Sequence, residues 1–431
     1  MPRISFCRCL LLFVGTLLSW SPATARADGL IRDGIGAISS GRGGTNLGFA
    51  DNGAVLLDNP GAMVNVSGNG LFDANVDTVM TQVHYTDLKP NDAYNKLRPF
   101  PLPALSYIRK SKDGRWAWGI GAFAPAGFAA SYDMQNSFAG PQVYKSEGGL
   151  GKLLPAVSYR VTDRLSIGGS LGLALGHVDL EGPFYMQSGP LKGAPAMLDL
   201  QGTGVAPTGS FGLQYIVGPK LTLGLAYTSE TQLHMGGDLQ ANIYGAGPFP
   251  IYSRFAAKTD LIWPRSLAFG AKYTISKRHR VGADVYWYDW KHAFNQVNIN
   301  LTDSSNPMVT ALLGPAIVQH IPLNWRDSVS MRLGYEWLPT GRDIFRLGYV
   351  YHASPVPNST LNPFLDGVLL NTFSVGYSRR LTSGALLNAS YQFMFSPVRH
   401  VGQSALAGGD FTNSTLQAQA HVASLGILVP F

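Results

Sequence analysis

Four ionisable residues lie on segments whose alternating pattern turns them toward one side of a predicted sheet: Asp284, Arg332, Glu336 and Arg346. Arg332 and Glu336 are four positions apart on one segment, so they share a face, and Arg346 lies on the next segment. Charged side chains are buried only when they are paired or hydrated. The simpler interpretation is a structural ion cluster that braces a neighbouring part of the chain. The alternative is that one of the arginines binds a ligand carboxylate.

The remaining reactive residue types form no catalytic or metal-binding pattern. The histidines are scattered and show neither metal-ligand spacing nor an adjacent nucleophile motif. Gly34-x-Gly36 and Arg42-Gly-Gly lack the preceding strand and following helix that a phosphate-binding loop requires. The sequence therefore predicts a protein that is not an enzyme and uses no cofactor and no metal.

The first 27 residues have the features of a secretory signal peptide. Arg3 and Arg8 precede an apolar run from Leu10 to Trp20, and Ala25-Arg-Ala27 fits a cleavage site. Both cysteines, Cys7 and Cys9, would leave with this segment, so no disulfide is expected. Loss of Arg3, Arg8 and Arg26 lowers the formal charge from +7 to +4, which predicts no nucleic-acid partner.

From about Gly70 onward, large apolar residues alternate with small or polar ones. Leu221, Leu223 and Leu225 alternate with Thr222, Gly224 and Ala226, and several later segments repeat the pattern. A period of two is typical of half-buried strands. The composition, with 50 glycines and 14% charged residues, fits a membrane β-barrel and also a secreted β-solenoid.

The lengths of the connections favour the membrane barrel over a soluble β-sandwich. Short turns are predicted at 111–114, 162–163, 217–219, 276–279, 339–342 and 381–384. They alternate with long connections at 87–99, 126–150, 178–197, 231–260, 300–322, 353–369 and 397–415. This order gives fourteen strands, and tight turns on one side with long loops on the other are typical of outer-membrane barrels. We therefore predict an all-β protein, a 14-stranded antiparallel transmembrane β-barrel in the cell outer membrane.

The segment from Gly41 to Met63 has neither helical nor strand periodicity, yet it is rich in apolar residues as well as glycine and asparagine. That composition argues for irregular packed structure rather than disorder. We predict three parts: a signal peptide over 1–27, an N-terminal hatch over 28–69 that plugs the lumen, and the transmembrane barrel over 70–431.

The chain ends on Phe431, with Ala423, Leu425, Ile427 and Val429 alternating before it. A final aromatic residue after such a pattern is usual for bacterial outer-membrane barrels. Pairing of this strand with the first one would close the barrel and remove both sheet edges. Phe431 is also the expected contact for the barrel-assembly machinery.

These features together resemble the FadL-type outer-membrane transporters, which include long-chain fatty acid transporters and toluene/xylene uptake proteins. The resemblance covers the chain after the signal peptide. Its most specific part is the ordered set Gly41-Arg42, Ala50-Asp51 and Asn59-Pro60 in the predicted hatch. Asn52 and the order Gly61-Ala62 depart from the usual pattern.

The resemblance implies passive transport of a hydrophobic small molecule, for which we expect long-chain fatty acids. A capture groove would be formed by the third and fourth extracellular loops, followed by a luminal pocket gated by the hatch. The expected groove residues are Phe184, Tyr185, Met186, Leu191, Tyr244, Phe249, Ile251, Tyr252 and Phe255. Exposed apolar side chains at this density mark a binding surface, although they could also pack the loops onto the barrel rim.

Exit would be lateral, through a gap at a kinked third strand, where Gly119, Gly121 and Pro125 are the expected gate residues. Outer-membrane lipid and lipopolysaccharide are expected neighbours. Two other functions stay open: uptake of toluene-like aromatic hydrocarbons, whose passage needs the same apolar lining, and a surface receptor or adhesin without transport.

Overall fold

Strands with alternating faces make up most of the protein, as seen in a computed structural model that describes residues 29–245, 249–365 and 367–431. The predicted signal peptide lies outside the described residues. The strands are β1 (Gly70–Thr86), β2 (Asp92–Tyr94), β3 (Phe100–Lys110), β4 (Trp116–Asn136), β5 (Gly140–Arg160), β6 (Leu165–Tyr185), β7 (Pro195–Ile216), β8 (Leu221–Thr228), β9 (Thr231–Ile243), β10 (Ile251–Trp263), β11 (Ser266–Ser276), β12 (His279–Tyr288), β13 (Gln296–Thr302), β14 (Ala316–Pro322), β15 (Ser328–Trp337), β16 (Asp343–His352), β17 (Asn371–Arg380), β18 (Leu386–Phe395), β19 (Arg399–Val401) and β20 (Ser414–Pro430).

Helices are few and short in the described parts. They are α1 (Gly36–Gly41), α2 (Val55–Asp58), α3 (Trp290–Ala293) and α4 (Pro307–Leu313), with 3-10 turns at Pro60–Asn65, Asn358–Thr360 and Ala407–Gly409. None of these helices has the length and apolar character needed to cross a membrane.

Fourteen antiparallel strands close into a barrel, which confirms the predicted fold class. Their order around the wall is β1, β3, β4, β5, β6, β7, β8, β11, β12, β15, β16, β17, β18 and β20. The last strand pairs with the first from Leu71↔Pro430 to Thr86↔Thr415, so closure occurs where the sequence predicts it.

The alternation produces an apolar outer face and an inner face of small residues. On β6, Leu171, Leu173 and Leu175 are exposed on the outside, while Ser166 and Ser170 are buried inside. Small inward residues leave room in the lumen for another segment of the chain, because a strand with large residues on both faces could not be approached closely.

That space is filled by residues 29–69, which we call the N-terminal segment. It contains α1, α2 and the turn Pro60–Asn65, and most of its residues are buried against the inner faces of strands around the wall. Several contacts depend on glycine. A Cβ at Gly376 would lie 2.9 Å from the Cα of Gly41, and a Cβ at Gly168 would lie 2.5 Å from the backbone oxygen of Pro60.

Four of the predicted long connections, 126–150, 178–197, 231–260 and 300–322, consist in large part of strands, whereas the described residues of 87–99, 353–369 and 397–415 contain little strand. Residues 126–150 form the ends of β4 and β5, and most of 231–260 is the hairpin of β9 and β10. β9 pairs with the outer half of β7, β10 pairs with β9 and β13, and β13 pairs with β14. We call β9, β10, β13 and β14 the outer sheet. The number of barrel strands was predicted correctly, but the interpretation of those four connections as loops was wrong.

Candidate functional site

Arg42 is the centre of the polar contacts within the N-terminal segment. Its side chain is fully buried, and all five guanidinium N–H groups donate hydrogen bonds. Two of them go to the carboxylate of Asp51, at 2.7 and 2.8 Å, and one goes to Glu336 on β15, at 3.1 Å. The guanidinium carbon also lies 3.7 Å from the centre of the Phe49 ring. Arg42 therefore joins the Gly41-Arg42 and Ala50-Asp51 motifs to each other and to the barrel wall.

The predicted cluster of luminal charges meets the N-terminal segment at several points. Glu336 accepts a hydrogen bond from Nε of Arg346 at 2.8 Å as well as the one from Arg42. Asp284 accepts from the backbone N–H groups of Asn46 and Leu47, at 2.7 and 3.1 Å. Arg332 lies opposite Asp284 in the sheet, 3.9 Å from Asp33 and over the ring of Tyr286. These contacts have the form of a brace between segment and wall.

Other carboxylates hold the segment on opposite sides of the lumen. Asp33 accepts from Thr372 and lies 2.8 Å from Nε2 of His352. On β1, Asp77 accepts from Arg32 at 2.6 Å and from the N–H of Gly36. Asp73, also on β1, accepts from the N–H of Gly53 at 2.8 Å.

The carboxyl groups of the segment differ in acidity because their surroundings differ. Burial by itself would raise the pKa of Asp51, but the Arg42 guanidinium outweighs it and holds that pKa well below its usual range. Burial would also raise the pKa of Asp33, but the neighbouring His352 and Arg332 outweigh it and lower that pKa. Among the described residues the amide of Asn46 is the one hydrogen-bond donor to Asp58, so burial dominates and raises the pKa of Asp58 to about 6. Asp51 and Asp33 are therefore held ionised by their cationic partners, whereas Asp58 takes up a proton at a higher pH than an ordinary aspartate.

Asn59 and Pro60, the third motif, fix the segment against β6 and β7. The Asn59 amide donates to the carbonyl oxygens of Leu47 and Leu213, both at 3.0 Å. Gly168 and Gly212 lie against Asn59 and Pro60 so closely that a Cβ on either glycine would clash. Ala50 is partly buried and packs against an apolar cluster of the segment.

An apolar groove lies between the outer sheet and the ends of the barrel strands. Its volume is about 190 Å³, and three of the predicted groove residues line it: Phe184, Met186 and Phe255. The other lining comes mainly from aliphatic residues of β7, β9, β10 and β13 that the sequence reasoning did not single out, such as Leu200, Leu239 and Ile299.

The other six predicted groove residues do not line this groove. Leu191 and Ile251 pack against a neighbouring apolar cluster. Tyr185 and Tyr244 form ring contacts with Phe138, at 5.5 and 5.3 Å between ring centroids. Phe249 and Tyr252 are exposed, by 78% and 49%. For Ile251 and Tyr252, which are neighbours on β10, the difference arises because successive residues of a strand point to opposite faces.

An opening interrupts the wall between β3 and β4. These strands pair only over Leu105–Lys110 and Ala117–Ala122, while the first half of β3 pairs with β1 alone. The register of β4 against β5 shifts between Phe123 and Ala126, so Ala124 and Pro125 form a bulge at the same level. A cavity of about 410 Å³, which we call the wall cavity, lies at this opening and is lined by residues of β1, β3, β4 and β5 and by Arg32.

The two glycines predicted as gate residues do not lie at this bulge. Gly119 and Gly121 lie within regularly paired β4 and face inward, toward Leu56 of the N-terminal segment. A Cβ at Gly119 would come within 2.6 Å of the backbone oxygen of Tyr107. The irregularity of the strand therefore coincides with Pro125, and the glycines instead permit close packing.

Residues of the N-terminal segment cover the opening from inside. Ile31 forms an antiparallel bridge with Ala126, supported by hydrogen bonds from Arg32 N to Pro125 O and from Gly127 N to Leu30 O, at 3.0 and 3.1 Å. The Arg32 guanidinium donates to Ala124 O on β4 and to Asp77 on β1, so it spans the gap. We call Leu30–Arg32 the cover strand.

A luminal pocket of about 100 Å³ lies on the other side of the cover strand and contains Lys152 of β5. Lys152 is 9% exposed and has no hydrogen bond or ion pair with any described residue. Its strand neighbour is Phe123, at the start of the bulge. The indole N–H of Trp263 and the hydroxyl of Tyr286 line the same pocket, and both are buried without a hydrogen-bond partner in the described chain.

Sequence reasoning missed Lys152 and the aspartates of β1, although a signal for each was present. Lys152 has the same parity as the inward-facing residues Leu154, Ala156 and Ser158. In the first half of β1, the three alternate positions 73, 75 and 77 are all polar: Asp73, Asn75 and Asp77. A polar residue in the inward register of a barrel strand must meet either another segment of the chain or a ligand.

Several solved structures have a fold similar to that of this protein. The described fold is similar to the toluene transporter TodX of P. putida, with a TM-score of 0.78 and 19% identity over 93% of this chain and 99% of that one. A Pseudomonas aeruginosa FadL homologue gives a TM-score of 0.76 and 16% identity over 94% and 100% of the two chains. The Ralstonia pickettii toluene transporter TbuX gives 0.70 and 20% over 91% and 98%.

No curated protein sequence matches the chain significantly. The family model described as outer membrane protein transport protein (OMPP1/FadL/TodX) matches residues 25–431. The chain therefore belongs to the OMPP1/FadL/TodX family of outer-membrane proteins that transport hydrophobic compounds.

Proposed function

We propose that the protein carries long-chain fatty acids passively across the outer membrane, from the apolar groove to the luminal pocket and out through the wall opening. The observation that carries this proposal is Lys152, a buried cation without a counter-charge among the described residues. Burial of an unpaired ammonium is costly unless the group becomes neutral or meets an anion. A carboxylate bound there would also accept hydrogen bonds from the free N–H of Trp263 and the hydroxyl of Tyr286.

The predicted arginines are less suited to this role. Arg346 is held by Glu336 and Ser378, and Arg332 by contacts with Asp33, Tyr288 and the ring of Tyr286. A ligand carboxylate would have to displace those partners. Lys152 has no such partner among the described residues, so we assign the carboxylate to Lys152 and a bracing role to the arginines.

The three cavities adjoin one another through the wall cavity, which supports a connected set of sites for the ligand. Phe128 lines both the groove and the wall cavity, while Arg32, Ala126 and Leu150 line both the luminal pocket and the wall cavity. The cover strand therefore lies between the proposed carboxylate site and the opening. In this proposal the N-terminal segment is the hatch, and the cover strand is the part that moves.

Aromatic hydrocarbon transport is the second candidate. It is supported by the likeness to proteins named as toluene transporters and by the apolar lining of the groove. A hydrocarbon such as toluene has no group that would use Lys152. The third candidate, a receptor or adhesin that does not transport, would leave the cavity at the wall opening without a function.

Two expected partners also remain proposals. Phe431 is 43% exposed, and its ring lies 5.5 Å from that of Tyr107 at the end of the barrel seam. It is thus accessible to the barrel-assembly machinery. Lipopolysaccharide is expected around the outer sheet.

Binding to purified variants distinguishes the two substrate classes. We expect Lys152→Met to weaken palmitate binding by about tenfold or more, since a hydrogen bond to a charged group contributes about 1.5–3 kcal/mol. Toluene binding should not change. Lys258→Met, on the exposed face of β10, is the matched control and should change neither. Equal palmitate affinity in Lys152→Met and the native protein would contradict the fatty-acid proposal.

A further inference from the structure

The six short connections of the barrel carry a ring of basic side chains. Every connection has an exposed lysine or arginine within it or at its edge, and these six are Lys112, Arg164, Lys220, Lys277, Arg342 and Arg380. Their side chains have no ion pair with any described residue. Acidic residues are few in the same connections and at their edges, namely Asp113, Asp163 and Asp343. The short connections are periplasmic in outer-membrane barrels, so one end of the molecule is strongly cationic.

A belt of aromatic residues lies directly beside this ring on the outer face of the barrel. Trp116 and Trp118 on β4 and Trp337 on β15 are exposed by 49%, 52% and 43%. Ring contacts connect Trp116 with Tyr159 at 4.4 Å and Trp337 with Phe345 at 5.5 Å. Such belts lie at the boundary between hydrocarbon and headgroups. The basic residues are one or a few positions further toward the strand ends, and therefore lie at headgroup level.

The distribution of the cations indicates what they bind. They occur at all six connections and so surround the barrel, whereas a protein partner would contact one sector. The basic residues lie just beyond the aromatic belt, toward the strand ends, and therefore beside the lipid headgroups of the periplasmic leaflet. Lysine and arginine near a membrane surface attract anionic lipids. We propose that the ring binds the phosphate groups of anionic phospholipids in the periplasmic leaflet, and so collects a shell of these lipids around the barrel.

The proposal is independent of the transported compound, since none of the six residues lines the groove, the luminal pocket or the wall cavity. Some exposed bases on the outer side, such as Arg254 and Lys96, are paired with Asp238 and Asp133. Other exposed outer bases have no ion pair with a described residue, and they serve as the control below.

Native mass spectrometry of the full-length protein, with equimolar phosphatidylglycerol and phosphatidylethanolamine, tests the proposal. The test variant combines Lys112→Gln, Arg164→Gln, Lys220→Gln and Lys277→Gln. The control neutralises the same residue types on the outer side, as Lys192→Gln, Lys258→Gln, Lys291→Gln and Arg326→Gln. We expect phosphatidylglycerol to be retained preferentially by the native protein and the control, and this preference to fall about tenfold in the test variant.

The heat-modified mobility of each variant in gel electrophoresis reports whether its barrel is folded. If the test variant fails to fold, the Lys220→Gln and Lys277→Gln pair replaces it, with Lys258→Gln and Lys291→Gln as control. The proposal is overturned if the native protein shows no preference for phosphatidylglycerol. Equal loss of preference in the test and control variants would also overturn it, because the effect would then not belong to the periplasmic ring.

Discussion

Arg42 donates four hydrogen bonds within the N-terminal segment and one to Glu336 on the wall, and its loss would leave Asp51 without its main counter-charge and Glu336 without one of its buried partners. Removing one partner of a buried ion pair costs about 3–5 kcal/mol. We expect Arg42→Met to accelerate amide hydrogen exchange of residues 41–59 by at least a hundredfold, since each 1.4 kcal/mol is about tenfold.

The control for this prediction is Arg254→Met, which removes an exposed pair with Asp238 that is worth at most about 1 kcal/mol. Its effect on exchange of the N-terminal segment should be negligible. Unchanged exchange of residues 41–59 in Arg42→Met would mean that glycine packing, rather than the ion cluster, holds the segment.

Residue roles were predictable where residue type and register together limit the possibilities. The inward position of Asp284, Arg332, Glu336 and Arg346 followed from strand alternation, and the structure buries all four. Their partners did not follow, because Arg42 and Asp33 lie in a segment without periodicity. Lys152 was missed because it lies two residues after a stretch that was interpreted as a loop, 126–150.

Strands that leave the membrane invert their pattern, and this explains why the outer sheet was taken for loops. Within the membrane, apolar residues point outward to lipid. On β9, the buried residues Leu233, Leu239 and Ile243 point inward, while Gln232 and Gln240 are exposed. The period of two persists, but the large apolar residues change faces because the outer surroundings become polar. A search for outward apolar residues therefore stops at the membrane boundary.

The groove formed by this sheet can be tested with two of the predicted groove residues. Phe184 is half-buried and lines the groove, whereas Tyr252 is exposed on the other face of β10. We expect Phe184→Ala to weaken capture of a hydrophobic ligand by about tenfold, from the loss of roughly 1.5 kcal/mol of apolar contact. Tyr252→Ala should bind normally.

Fluorescence titration of each purified variant with a fluorescent fatty acid measures this difference. A weaker affinity for Tyr252→Ala with a normal one for Phe184→Ala would place the capture surface on the outer face instead. Loss in both would indicate that the whole rim takes part.

At the scale of the whole molecule, the proposed route through the cavities has one obstruction, the N-terminal segment. The wall cavity shares lining residues with the groove and with the luminal pocket, and the cover strand lies between the wall cavity and the luminal pocket. The closed barrel and the presence of a luminal segment were predictable from hairpin order and from the glycine-rich motif. The position of the obstruction was not, because it depends on a single bridge between residues far apart in the sequence.

Fixing the cover strand in place tests the proposed route most directly. Ile31 and Ala126 are a non-hydrogen-bonded antiparallel pair, in which Cα atoms are about 4.5 Å apart and a disulfide can form. The chain's own cysteines, Cys7 and Cys9, both lie in the predicted signal peptide, so Ile31→Cys with Ala126→Cys introduces one new cross-link. Each single cysteine variant is a control.

The measurement is uptake of labelled palmitate by cells that express the double variant, with and without a reducing agent. The account predicts that the oxidised protein still binds palmitate but does not transport it, and that reduction restores uptake to the level of the single variants. Uptake at the same rate in the oxidised and reduced protein would contradict lateral exit beneath the cover strand.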